Sequence, residues 1–233
     1  MISGDHRQVV FIIHTGPVSV EDLKRNFKEI APSVLVYNII DDSLLPEIVR
    51  NGGVTERVRQ RICSYVVDAE NAGADLIFNQ CSSAGEVAEM AATLVTVPVI
   101  RVDQRMAESA CTMGRRIGVV ATLPTTMGPT CRLIQRTADA MNKEIEIEEC
   151  LAEGAFDLLM SGDRAGHNRM VIDSIKGLAE KVDVIVCAQG SMTALLDDLA
   201  AANIVTPILT SPRLGVEHAV EVLNQTRGPA PAG

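Results

Sequence analysis

Slid along itself by a little over one hundred residues, the chain matches itself at three successive places, and this repeat constrains its fold more than any other feature. Thr15-Gly16-Pro17 falls on Thr122-Leu123-Pro124, Asp75-Leu76-Ile77-Phe78 on Asp183-Val184-Ile185-Val186, and Pro98 ahead of one apolar run on Pro207 ahead of another. The offsets drift only from 107 to 109. Around these matches, short β-branched runs alternate with longer segments of helical period, the pattern of parallel sheets flanked by helices. The spacing predicts strands near Val9 to Ile13, Val34 to Tyr37, Asp75 to Phe78, Val97 to Val102, Ile117 to Ala121, Ile145 to Glu149, Asp183 to Cys187 and Val205 to Leu209. An α/β fold of two pseudo-symmetric lobes follows, residues 1–106 with 208–233 forming one and 107–207 the other. A ligand is expected in the cleft between them, where the carboxyl ends of both strand sets face each other.

Composition narrows the function. With 47% apolar and 22% charged residues the chain resembles a globular domain, and its apolar runs are too short to span a bilayer. The charge balance, 21 basic against 30 acidic residues, comes without a basic cluster, which excludes nucleic acid as a partner. The polar N-terminus lacks the apolar stretch of a signal peptide, so a cytoplasmic protein is expected. Six cysteines with no Cys-x-x-Cys pair read as reduced thiols, and no His/Asp/Glu cluster has metal-ligand spacing. The tail from Gln225 to Gly233, rich in Pro and Gly, is expected to fray.

The sharpest local signal is Asn79-Gln80-Cys81-Ser82-Ser83-Ala84-Gly85-Glu86, a polar elbow directly after an apolar strand and before a helix. There the free N–H groups and positive end of the helix favour a thiolate, so the Cys81 thiol is expected to ionise near neutrality and act as nucleophile or base. Cys63, Cys111, Cys131 and Cys150 have apolar neighbours and read as core residues. Thr15, Asn79, Ser82, Ser83, Thr122, Thr125, Gly190 and Ser191 sit at strand ends, where hydroxyls and backbone N–H groups bind a carboxylate or stabilise an oxyanion. Thr125 also reads as a helix cap after Pro124, and His14 as a residue facing the cleft. His167, in the stretch Ser161 to His167, reads as part of a surface loop suited to a lid.

The segments Gly73 to Ser83, Ala121 to Thr126 and Asp183 to Met192 together resemble the aspartate/glutamate racemase superfamily, which includes hydantoin racemases, maleate isomerases and arylmalonate decarboxylases. The resemblance covers almost the whole chain. It implies two pseudo-symmetric lobes, no cofactor, a homo-oligomer, and two cysteines on opposite faces of the substrate's α-carbon. Cys81 matches the first thiol. Six residues after Asp75 comes Cys81, but six after Asp183 comes Gln189, so a glutamine holds the second cysteine position. Cys187 lies two residues earlier and reaches the cleft only if a bulge at Ala188 or Gln189 advances it; otherwise it is a core residue.

The reading that follows is a cysteine-dependent racemase or isomerase acting at or beside the α-carbon of a small carboxylate or carbonyl compound. Two alternatives stay open. One is a one-thiol decarboxylase or hydrolase of lactone or amide type on the same scaffold; the other is a non-catalytic binding protein for a small anion.

Overall fold

The computed structural model describes residues 7–226, so the expectations for the extreme N-terminus, and for all of the tail but Gln225 and Thr226, lie outside the described residues. The first half runs β1 (Val9–His14), α1 (Val20–Ile30), β2 (Leu35–Ile40), α2 (Leu44–Arg50), α3 (Glu56–Asn71), β3 (Leu76–Asn79), a 3-10 turn at Ser82–Ala84, α4 (Gly85–Ala91) and β4 (Val99–Arg101). The second runs α5 (Gln104–Met113), β5 (Arg116–Ala121), α6 (Pro124–Ala140), β6 (Glu146–Leu151), α7 (Ala155–Met160), α8 (Arg164–Ala179), β7 (Val184–Cys187), a 3-10 turn at Gly190–Leu195, α9 (Leu196–Ala201), β8 (Ile208–Thr210) and α10 (Ser211–Thr226). All strand pairs are parallel, in two separate sheets ordered β2-β1-β3-β4 and β6-β5-β7-β8.

The two sheets are built alike for a reason visible in single residues. Asp75 accepts the backbone N–H of Val9 at 2.7 Å, and Asp183 accepts that of Arg116 at 2.8 Å, so each aspartate pins the start of its sheet's central strand. Ile77 N–H donates to Pro98 and Ile185 N–H to Pro207, which sets the register of the next strand in each sheet. These are the residues of the internal repeat.

Central strands covered on both faces need apolar side chains on both, and the alternation divides them between two layers. Val10, Ile12, Leu76 and Phe78 meet α1 and α10, where Phe27 packs edge-on against Phe78 at 5.9 Å. Ile13 and Ile77 meet α3. In the second sheet Val119, Val184 and Val186 meet α5 and α6, while Val120, Ile185 and Cys187 meet α8. The edge strands β2 and β6 are half exposed.

Helix α10 returns to the first sheet through Val216, Ala219 and Leu223. Gly215 permits that return, because a Cβ there would fall 2.5 Å from the Val102 carbonyl oxygen. Strand β8 is bonded to β7, so residues 208–210 belong to the second sheet and the crossing back comes after Thr210, three residues later than the boundary expected from the sequence.

Two short helices, α2 and α7, follow β2 and β6 at matching places in the two halves. The lid expected over Ser161 to His167 is absent: α8 begins at Arg164, capped by the Asp163 carboxylate on Gly166 N–H at 2.8 Å, and His167 is buried in its first turn, 2% exposed.

Candidate active site

At the carboxyl end of each sheet the backbone makes the same move. Cys81 stays extended and opens the 3-10 turn at Ser82, and Gln189 stays extended and opens the turn at Gly190. Within this chain, Gln189 therefore stands where Cys81 stands in the other lobe.

Thr15 and Thr122, each buried at the end of a central strand, are the partners. The Cys81 sulfur is hydrogen-bonded by the Thr15 hydroxyl and by the N–H groups of Ser83 and Ala84. Gln189 holds Thr122 instead, its Oε1 accepting the Thr122 N–H at 2.6 Å and its Nε2 donating to Thr122 Oγ1 at 2.8 Å. Asn79, 1% exposed, donates from Nδ2 to the Cys81 carbonyl at 2.9 Å and so fixes the elbow; its Oδ1 is buried without a hydrogen-bond partner.

The electrostatics of Cys81 overturn the expectation of a thiol ionising near neutrality. Burial pushes its pKa up, and the three hydrogen bonds that favour the thiolate are too weak to offset the lost hydration. The nearby Asp103 carboxylate works in the same direction as burial. Cys187 is fully buried among Val120, Val171 and Ile185, and burial alone pushes it up to about 12. No bulge advances it: β7 pairs regularly through Cys187, which faces Thr210.

The remaining residues divide between contact and scaffold. Ser82 and Ser83 are both buried, and the Ser83 hydroxyl meets that of Thr126 at 2.9 Å, joining the lobes. Thr125 is not the cap of α6, because Leu123 holds that position and Pro124 opens the helix; Thr125 Oγ1 is buried without a partner. Gly190 lies against Pro212 and the Ser19 hydroxyl, and Ser191 is half-buried beside it. His14 is buried with its Nε2 2.9 Å from Asn38 Oδ1, and burial lowers its pKa, so the ring is neutral. Ser83, Thr125, Glu86, Val87, Pro124, Arg59 and Arg132 border a cavity of about 450 Å³ between α3, α4 and α6.

Sequence reasoning missed the charges beneath and beside this layer. Arg101 lies 3% exposed under Gly85, gripping the fully buried Asp103 through two bonds of 2.9 Å and Glu89 at 2.8 Å. Burial opposes its charge, but Asp103 and Glu89 prevail and raise its pKa. Glu86 and Glu89 on α4 then cross to Arg132 and Arg136 on α6. An arginine ending an otherwise apolar strand was the signal available in the sequence.

No curated protein sequence matches this chain. Among solved structures, a glutamate racemase isoform from Bacillus anthracis superposes with a TM-score of 0.77 at 16% identity, over 96% of this chain and 84% of that one. An allantoin racemase from Klebsiella pneumoniae gives 0.74 at 14%, over 94% and 89%. An aspartate racemase from Picrophilus torridus gives 0.68 at 14%, over 93% and 94%. At such identities these likenesses show the fold. The profile of the Asp/Glu/Hydantoin racemase family matches residues 12–219, and the chain belongs to that family.

Proposed function

We propose that the protein is a cofactor-independent racemase or isomerase acting at the carbon beside a carboxylate or carbonyl group, with Cys81 as the reacting thiol. The substrate lies between the carboxyl ends of the two sheets. The observation that carries this reading is the matched pair of strand-end sites, Cys81 with Thr15 and Gln189 with Thr122, on a racemase-family fold. A proton on such a carbon is weakly acidic, and its removal becomes feasible only if the enolate oxygen that forms is met by fixed donors. This reading assigns that role to Thr15, Thr122, Ser82, Ser83, Ser191 and the N–H groups of Gly190 and its neighbours beyond the strand ends, and to Thr125 in the first turn of α6.

The pKa of Cys81, raised by burial, supports its acting from the thiol form, as the group that gives a proton. A homo-oligomer accompanies this reading by family analogy. The test is α-proton exchange in deuterated water with both enantiomers of glutamate, aspartate and allantoin. Wild-type protein is expected to exchange at least one of them and Cys81→Ala none. Exchange that survives in Cys81→Ala would sink the assignment.

A second reading rests on one observation, the absence of a second thiol at the strand end, where Gln189 stands and Cys187 is sealed in the core. One thiol suits decarboxylation or hydrolysis. Release of carbon dioxide from a malonate-type diacid without exchange at the α-carbon of any amino acid would favour it.

A further inference from the structure

The sheet-facing stripe of α3 is Val58, Ile62, Val66 and Ala69, and that of α8 is His167, Val171, Ile175 and Leu178, each 109 residues on. Three of the four matches are apolar for apolar. The fourth puts a histidine where the first lobe has a valine, and Val58 is packed in the same cluster as Cys81.

Helix α8 runs against the strands, so His167 lies one turn beyond Val171 toward their carboxyl ends. Alternation along β7 turns Ile185 and Cys187 toward α8, and Gln189, extended two residues further on, continues on that face. His167 thus holds, in the second lobe, the helix position that Val58 holds beside Cys81 in the first.

The ring is oriented by a chain of polar groups. Asn168 Nδ2 donates to the Asp198 carboxylate at 3.3 Å, which turns Asn168 Oδ1 toward His167 Nδ1 at 3.1 Å. An amide oxygen only accepts, so Nδ1 carries the proton in the neutral ring and Nε2 is left as a bare lone pair. That Nε2 is buried and has no partner. A base held in one tautomer by a second group, itself held by a carboxylate, is the arrangement from which imidazoles take protons. Packing alone calls for no nitrogen here, since valine fills the equivalent place.

We propose that His167 is the second-lobe proton-transfer group of this enzyme, acting on the face of the substrate opposite Cys81. The inference rests on the racemase reading above. On one face the C–H bond breaks, its proton passing to His167 Nε2 and its electron pair into the adjoining carbonyl as an enolate. On the other face the Cys81 S–H bond breaks and its proton forms the new C–H bond, giving the mirror-image product. Thiolate and imidazolium are left, and proton exchange through water returns them to thiol and imidazole.

The test compares wild type, His167→Val and His167→Gln by racemisation and α-proton exchange of glutamate, aspartate and allantoin in deuterated water, with thermal unfolding alongside. His167→Val installs the residue the first lobe already accommodates, and His167→Gln keeps a polar head without a basic ring nitrogen. Both are expected to unfold close to the wild-type temperature, with kcat down by about 100-fold or more and KM little changed. Retention of wild-type kcat in either variant overturns the role of His167 and leaves that of Cys81 standing. Absence of exchange by wild type with all three probes overturns both.

Discussion

Gln189 grips Thr122 by both atoms of its amide, at 2.6 and 2.8 Å, in the place where the other lobe sets Cys81 against Thr15. The glutamine therefore accepts the backbone N–H and donates to the hydroxyl oxygen of the residue that ends the central strand of its sheet. Removing it exposes two polar groups in a half-buried site. Gln189→Ala is expected to cost about 1–3 kcal/mol, at about 0.5–1.5 kcal/mol for each hydrogen bond lost, read as a lower urea midpoint with an unchanged slope. No loss of stability would mean that water replaces the amide without penalty.

Cys81 is buried and its pKa raised, so its alkylation in the free protein is expected to be slow at neutral pH and still climbing at about pH 9. Iodoacetamide labelling followed by peptide mass analysis reads this. A plateau below about pH 7 would show that the hydrogen bonds from Thr15, Ser83 and Ala84 outweigh burial after all. Cys63→Ala and Cys131→Ala are expected to keep activity, since Cys63 lies within α3 and Cys131 within α6, neither of them at a strand end.

The buried pair Arg101 and Asp103 supports the Cys81 elbow from below. Arg101→Met leaves a fully buried carboxylate without its partner, an expected loss of about 3–5 kcal/mol by chemical denaturation. Adding Asp103→Asn removes the stranded charge and should recover a large part of it. If the double variant is no more stable than the single one, the cost lies in packing against Gly85 instead.

Between the lobes, Glu86 with Arg132 and Glu89 with Arg136 are partly exposed, with side chains 38% to 57% accessible. Each is expected to contribute about 0.2–1 kcal/mol, less at high salt because solvent ions screen exposed pairs. Arg132→Ala and Arg136→Ala measured at low and high salt check this, and a loss independent of salt would count against the pairs as electrostatic clasps.

Burial lowers the pKa of His14 and of His218 below the ordinary histidine value of 6.5. In the window below 6.5 the unfolded chain therefore takes up protons before the folded one, and stability falls as pH drops. The thermal midpoint is expected to be lower at about pH 5.5 than at about pH 7.5, and the slope to flatten in His14→Gln. An equal slope in that variant would assign the effect to other groups.

The sequence by itself determined the two-lobed α/β architecture and all eight strands, because that information is local and repeated: β-branched runs, helical period, and one aspartate and one proline at matched places in each half. Its six-residue count from the aspartate that pins each sheet also located the two matching strand-end turns, at Cys81 and at Gln189. Its errors were of another kind. The state of the Cys81 thiol depends on how much water the α2 and α3 layer excludes, and the helix end visible in the sequence was the weaker term. His167 has the sequence surroundings of a loop, because a run of Gly, Asp, Arg and Ser masks the start of α8; only packing against the sheet shows that the ring is inside. Partners such as Arg101 with Asp103, Glu86 with Arg132, and His167 with Asn168 and Asp198 are set by where helices land on sheets. That placement is a property of the packed whole, since burial and long-range charge depend on neighbours distant in the chain, and it was decided by the tertiary structure alone.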